Sequence, residues 1–229
     1  MLGNALGPHH NIVPTSPTGV PALTTAPEQP FAISVIPPDD WHKVDLHPDK
    51  RQLQVLNSLQ PLRYQLANWD TAYPLLRDYL LKTMAQAWET GMRYQISTKY
   101  DPSVSAASQL MANFTISFLP RATTSGSTED ELDKVLEMLF DEQQQLSDEE
   151  TLEISRVELP NMGPAVQAAR VGYVPTPDGV SKSARIATLR TFIPAGRYTV
   201  LAQGTSPQTD IAHVLFQIFA AITTSISPA

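Results

Sequence analysis

Between Thr151 and Gln203 the chain reads as one strand after another, and no other feature constrains the fold as strongly. Four extended segments, Thr151–Leu159, Ala165–Val174, Ala184–Ile193 and Arg197–Gln203, are separated by PNMGP, PTPDG and PAG, all turn chemistry. Turns of this kind leave no room for the long crossover that parallel neighbours need, so the segments form an antiparallel meander. Upstream, QLMANFTISFL (Gln109–Leu119) sets Leu110, Ala112, Phe114, Ile116 and Phe118 against Met111, Asn113, Thr115 and Ser117. That alternation predicts a strand with one buried face. Further extended segments are read at Phe31–Pro38, Trp41–Leu46 and Arg93–Lys99.

Helical spacing appears in four places. Pro48 opens a short helix through Leu59, with proline at a tolerated first-turn position. Residues 71–90 follow Asp70 as N-cap, with Tyr73, Leu76, Leu80, Met84 and Ala87 on one face and Gly91 as a left-handed exit. Ser127 caps a third helix whose apolar stripe is Leu132, Val135, Leu136, Leu139 and Phe140, and Ser127 with Asp130 resembles a capping box in which Asp replaces the preferred Glu. The last helix, started by Ser206-Pro207, carries Ile211, Val214, Leu215, Ile218, Phe219 and Ile222 at amphipathic spacing. Runs of strands with segregated helices predict an α+β fold, a mostly antiparallel sheet flanked by helices.

Composition closes off several functions. With no cysteine among 229 residues, disulfides, thiolate metal sites and cysteine nucleophiles are excluded. A net charge of −7 argues against nucleic acid as partner, since such binding needs clustered lysine and arginine. Residues 1–30 hold six prolines and neither a cationic nor an apolar signal-like stretch, so they read as an extended, disordered arm. The arm serves as a tether or as a docking peptide for a proline-binding groove. Residues 31–229 are then a single domain. The final helix is interrupted by His213, Gln217 and Thr223, so it reads as docked on the sheet rather than crossing a membrane, and a cytoplasmic location follows as the expectation.

The order of strands and helices resembles the PsbP-like α/β/α sandwich. The closing stretch, TFIPAGRYTVLAQGTSPQTDIAHVLFQIFAAITTSI (Thr191–Ile226), resembles the C-terminal part of uncharacterised actinobacterial proteins, in which strand, tight turn, strand and apolar helix follow one another. PsbP-like proteins are mostly assembly or partner-binding factors without catalytic residues. The resemblance therefore implies binding rather than chemistry, and carries over no functional residue.

The side chains themselves hold no catalytic signature. DDWHKVDLHPD gathers Asp39, Asp40, His42, Asp45, His47 and Asp49, ligand types for zinc or manganese. The odd separation of His42 and His47 sends them to opposite faces of a strand, so a polar strand and charged loop is the expectation, with no metal and no cofactor. No G-x-S-x-G or phosphate loop occurs, and His213 reads as a half-buried packing residue. Lys182, Arg185, Arg190 and Arg197 on the late strands form either an anion site or the decoration of an exposed sheet face.

Charge is distributed very unevenly. Glu129–Glu158 contains twelve acids and only Lys134 and Arg156 as cations, a local charge of −10 that leaves +3 elsewhere. The helix dipole accounts for Glu129, Asp130 and Glu131 in the first turn, but not for Asp141, Glu142, Asp148, Glu149 and Glu150 at or past its C-terminus. These seven acids outside the dipole's help or at its start, Glu129, Asp130, Asp141, Glu142, Asp148, Glu149 and Glu150, are candidate contacts for a protein partner with a basic surface. The expected function is a non-catalytic binding or accessory protein of adaptor or chaperone type. A small-molecule binder or hydrolase with a cleft between sheet and helices, using His42 or His213, is the alternative.

Overall fold

The computed structural model describes residues 32–99, 101, 103–105, 109–121, 127–174 and 184–229. The expected arm over residues 1–30, together with Lys182, lies outside the described residues. Among those described, the elements are β1 (Ile33–Ser34), β2 (Trp41–Asp45), α1 (Pro48–Leu59), α2 (Trp69–Glu89), β3 (Met92–Thr98) and β4 (Asn113–Pro120). They continue with α3 (Thr128–Gln144), β5 (Thr151–Leu159), β6 (Gly163–Val174), β7 (Ala184–Ala195), β8 (Tyr198–Ser206), α4 (Ala212–Thr224) and β9 (Ser227–Pro228). Seven strands pair antiparallel in the order β2-β3-β4-β8-β7-β6-β5, an α+β arrangement. The expected meander is β5-β6-β7-β8, and β4 joins it on β8 with Phe114 opposite Gly204 and Ile116 opposite Ala202.

The register divides the sheet into two faces. Phe114, Ile116, Val200, Ala202 and Ile193 share one face, where they are buried beneath Leu215, Phe219 and Ile222 of α4. The Phe219 ring stands 6.1 Å from Phe114 and 6.4 Å from Trp41. On the other face, Leu132, Val135 and Leu139 of α3 pack on Leu152, Val166, Ala168 and Phe192. Val44 and Met92 belong by register to this second face, and there the α1–α2 hairpin closes over them with Leu46, Val55, Leu59 and Met84. Helices thus cover both faces. Between α3 and the hairpin, the second face shows two cross-strand polar rows: Gln95, Thr115, Gln203 and Arg190, then Ser97, Asn113, Thr205 and Thr188.

Several boundaries differ from the sequence reading, each for a tertiary reason. Of the segment expected at Phe31–Pro38, the described residues form no strand of the main sheet: among them Ile33 and Ser34 pair, with β9. Side chains take the neighbouring backbone groups, Tyr94 Oη donating to Ile33 O and Lys43 Nζ to Val35 O, each at 3.0 Å. Helix α2 begins before Asp70, with Asn68 at the cap, because Trp69 is drawn against Tyr73 at 5.0 Å in the hairpin core. Ser206 ends β8 instead of starting a helix. Its hydroxyl donates to Met111 O at 2.6 Å and accepts from Gln208 N at 3.1 Å. Gly91 supplies the left-handed exit expected of it, at φ 98°.

Candidate binding surface

The expected capping box is present on α3. Ser127 Oγ accepts from Asp130 N at 3.1 Å and Asp130 Oδ2 accepts from Ser127 N at 2.8 Å. The Ser127 backbone and hydroxyl hold the Asp130 carboxyl below its ordinary range. Asp130 is thereby a structural residue of the helix start. Glu131, one position on, turns inward to Arg121 at 3.3 Å and takes the Thr199 hydroxyl at 2.6 Å.

The other acids divide into two groups. Arg156 on β5 reaches up to Glu129 at 2.7 Å and Asp133 at 2.5 Å. Arg170 on β6 binds Glu142 at 2.8 Å and Glu150 at 2.6 Å, and Arg190 on β7 binds Glu142 at 2.6 Å. All four members of this last network are mostly shielded, with side-chain exposures from 12% for Glu150 to 26% for Arg170. Glu150 also accepts from Tyr173 N at 3.1 Å and from Ser147 N and Oγ at 3.3 and 3.1 Å. Arg170 first, then these donors, hold its carboxyl down at about 2. A Cβ on Gly172 would run into the Glu150 carboxylate and Arg170, so glycine is what lets this pair close. Glu149 accepts from Tyr173 Oη at 2.9 Å.

A second group faces solvent. Glu137, Asp141, Asp148, Glu153 and Glu158 are exposed and have no ion-pair partner among the described residues. Helix α3 has no basic residue in its last turn, so the partial negative charge of its C-terminus adds to that of Asp141. Of the seven candidate contacts, Glu129, Asp130, Glu142, Glu149 and Glu150 therefore have partners inside the chain, and Asp141 and Asp148 are left open to a partner outside it. Arg170, which gathers Glu142 and Glu150, is a residue the local charge count could not reveal, because it lies 28 and 20 positions from them.

The remaining candidates fall apart in space. His47 caps α1, its Nδ1 accepting from Asp49 N at 3.3 Å, while Asp45 takes Lys50 at 2.7 Å. Among the described residues no three of His, Asp and Glu come together as a metal site would require. His213 is exposed rather than half-buried, because α4 buries Ala212, Leu215 and Phe219 and leaves His213 and Val214 in solvent. Of the basic set, Arg190 is spent on Glu142, Arg185 donates to Glu149 O at 3.4 Å and Arg197 lies 5.0 Å over the Tyr198 ring.

Three concavities are lined by described residues. One of 470 Å³ lies at the strand ends by Thr98, Leu110, Ala112, Ile186 and Thr205, and one of 710 Å³ lies between α1 and α2. The third, 180 Å³, adjoins Arg170, Tyr173 and Arg190, and is smaller than the roughly 300 Å³ at which small-molecule sites begin. Neither His42 nor His213 lines any of them. No helix among the described residues is long and apolar enough to cross a membrane.

Fold and surface together define an α+β sandwich whose acidic stretch, Glu129–Glu158, is partly neutralised from within and partly without ion-pair partners among the described residues. Compared with known proteins, the chain matches no family model and no curated sequence.

Proposed function

We propose that this chain is a non-catalytic binding protein that recognises a basic surface on a protein partner. One observation carries the reading: after the internal ion pairs are counted, Glu137, Asp141, Asp148, Glu153 and Glu158 remain exposed with no ion-pair partner among the described residues. Uncompensated like charges beside a helix C-terminus oppose folding, so they do not serve the fold, and in association they steer a cationic partner and fix its orientation. The anchored carboxylates beneath them supply a rigid base. The resemblance stated above gives the role an accessory or chaperone-like form, in a secretion or envelope system, with the protein itself in the cytoplasm.

The test is capture of partners from the protein's own cells, comparing the unmodified chain with an Asp141→Lys, Asp148→Lys variant. A partner retained by the former at low salt, released at high salt and lost by the variant is the expected result. Partners that bind both proteins equally would remove the reading. Glu142 and Glu150 are unsuitable for such a test, because reversing them would break the arginine network.

A further inference from the structure

We infer that the free edge of β5 is the docking line for the partner, a lysine- or arginine-bearing extended segment that adds to the sheet as an eighth strand. The inference rests on the basic-partner reading and names its mode. Among the described residues strand β5 closes the sheet on one side and pairs with β6 alone, in unbroken register from Thr151 to Leu159. At nine residues it is longer than the usual five or six, and it contains neither proline nor bulge. Among the described residues one side chain reaches its backbone, Gln143, whose amide donates to Leu152 O at 2.9 Å.

The flank of α3 above this edge is marked by its contacts with β5, Glu129 and Asp133 through Arg156 and Gln143 through Leu152. Phe140 lies on the same flank, seven positions after Asp133 and three before Gln143. The sequence pattern assigns Phe140 to the buried stripe, yet it is 49% exposed. An added strand would slide under this ring and bury it, with its main chain hydrogen-bonded to β5 and alternate side chains directed up to α3.

Charge selects the occupant. The edge carries exposed Glu153 and Glu158, and Glu137 stands on the α3 flank over it. Arg156, the cation of the strand, is already bound to two carboxylates. A second copy of this chain would bring two such acidic edges together and is repelled, which is how natural edges are kept from self-pairing. A cationic strand is attracted by the same groups.

The probe is a nine-residue peptide alternating lysine and valine, with a glutamate–valine peptide as control, read by amide hydrogen exchange on the full chain. The lysine peptide is expected to slow exchange of outward-facing amides within Thr151–Leu159 by about tenfold or more at saturation, to do so less at high salt, and to fail on Glu153→Gln, Glu158→Gln, whose fold circular dichroism checks. The glutamate peptide should have no effect. Protection by the lysine peptide at other amides only would overturn the edge while leaving the basic-partner reading intact. So would no binding of the peptide when the cellular partner is still lost on Asp141→Lys, Asp148→Lys. Protection of β5 that rises with protein concentration alone would overturn it in favour of a second copy.

Discussion

Gly91 and Gly196 both hold positive φ, 98° and 58°, yet they differ in how far a side chain could be tolerated. At Gly196, in the β7–β8 turn, a Cβ would meet nothing within 4 Å, so alanine there pays only for the left-handed backbone, about 1 kcal/mol. At Gly91, between α2 and β3, the Cβ would enter the Phe118 carbonyl, and Phe118 N donates to Gly91 O at 2.8 Å, which holds the two backbones together. Gly91→Ala is therefore expected to cost about 3 kcal/mol or more, the strain and the collision together. Urea unfolding of the two variants checks this. Equal losses would mean that φ alone sets the cost at both places.

Helix α3 is well started and badly ended, and the two ends predict opposite effects. Its capping box makes Ser127→Ala a loss of about 1 kcal/mol. Its C-terminus has acids and no base in the last turn, so Asp141→Lys is expected to gain a few tenths of a kcal/mol, about 0.3, by complementing the dipole. Thermal melts of the two variants should move in opposite directions, and a fall for Asp141→Lys would show that its carboxylate serves the fold. Elements of this kind were largely legible in the chain, because caps, alternation and turn residues are local signals. The bounds of β5, Thr151 and Leu159, follow from its flanking turns. What was not legible is long-range. The bond from Ser206 to Met111 spans 95 positions and keeps Ser206 in a strand where its sequence suggests a helix start. Phe140 continues the stripe of Leu132, Leu136 and Leu139 by spacing, but α3 is rolled so that Gln143 and Asp133 mark its β5 flank and the ring is left outside. The acidic surface was legible as composition but not as geometry, since Arg190 reaches Glu142 across 48 positions.

At the scale of the whole molecule, the network around Arg170 ties the α3–β5 connection to β6 and β7, and it makes stability depend on pH in a defined window. Glu150 has an ordinary carboxyl value of 4.5 when the chain is unfolded, and about 2 in the fold, where Arg170 and backbone amides favour the charged form. Above pH 4.5 the carboxylate is charged in both states and its contribution is fully present. Between 4.5 and about 2 the unfolded chain takes up the proton first, so the unfolded state binds more protons and stability falls as the pH falls. Once the folded-state carboxyl is protonated too, the contribution is gone. Glu150→Gln removes the titrating group and should flatten that part of the profile. The variant is expected to be less stable than the unmodified chain at pH 7 and to approach it towards pH 2, with Tyr173 N, now without its carboxylate acceptor, exchanging faster at neutral pH. Urea midpoints of both proteins across this range test the assignment. Parallel profiles, separated by a constant offset, would mean that the acid sensitivity arises from other carboxylates, and that Glu150 contributes to the fold by shape rather than by charge.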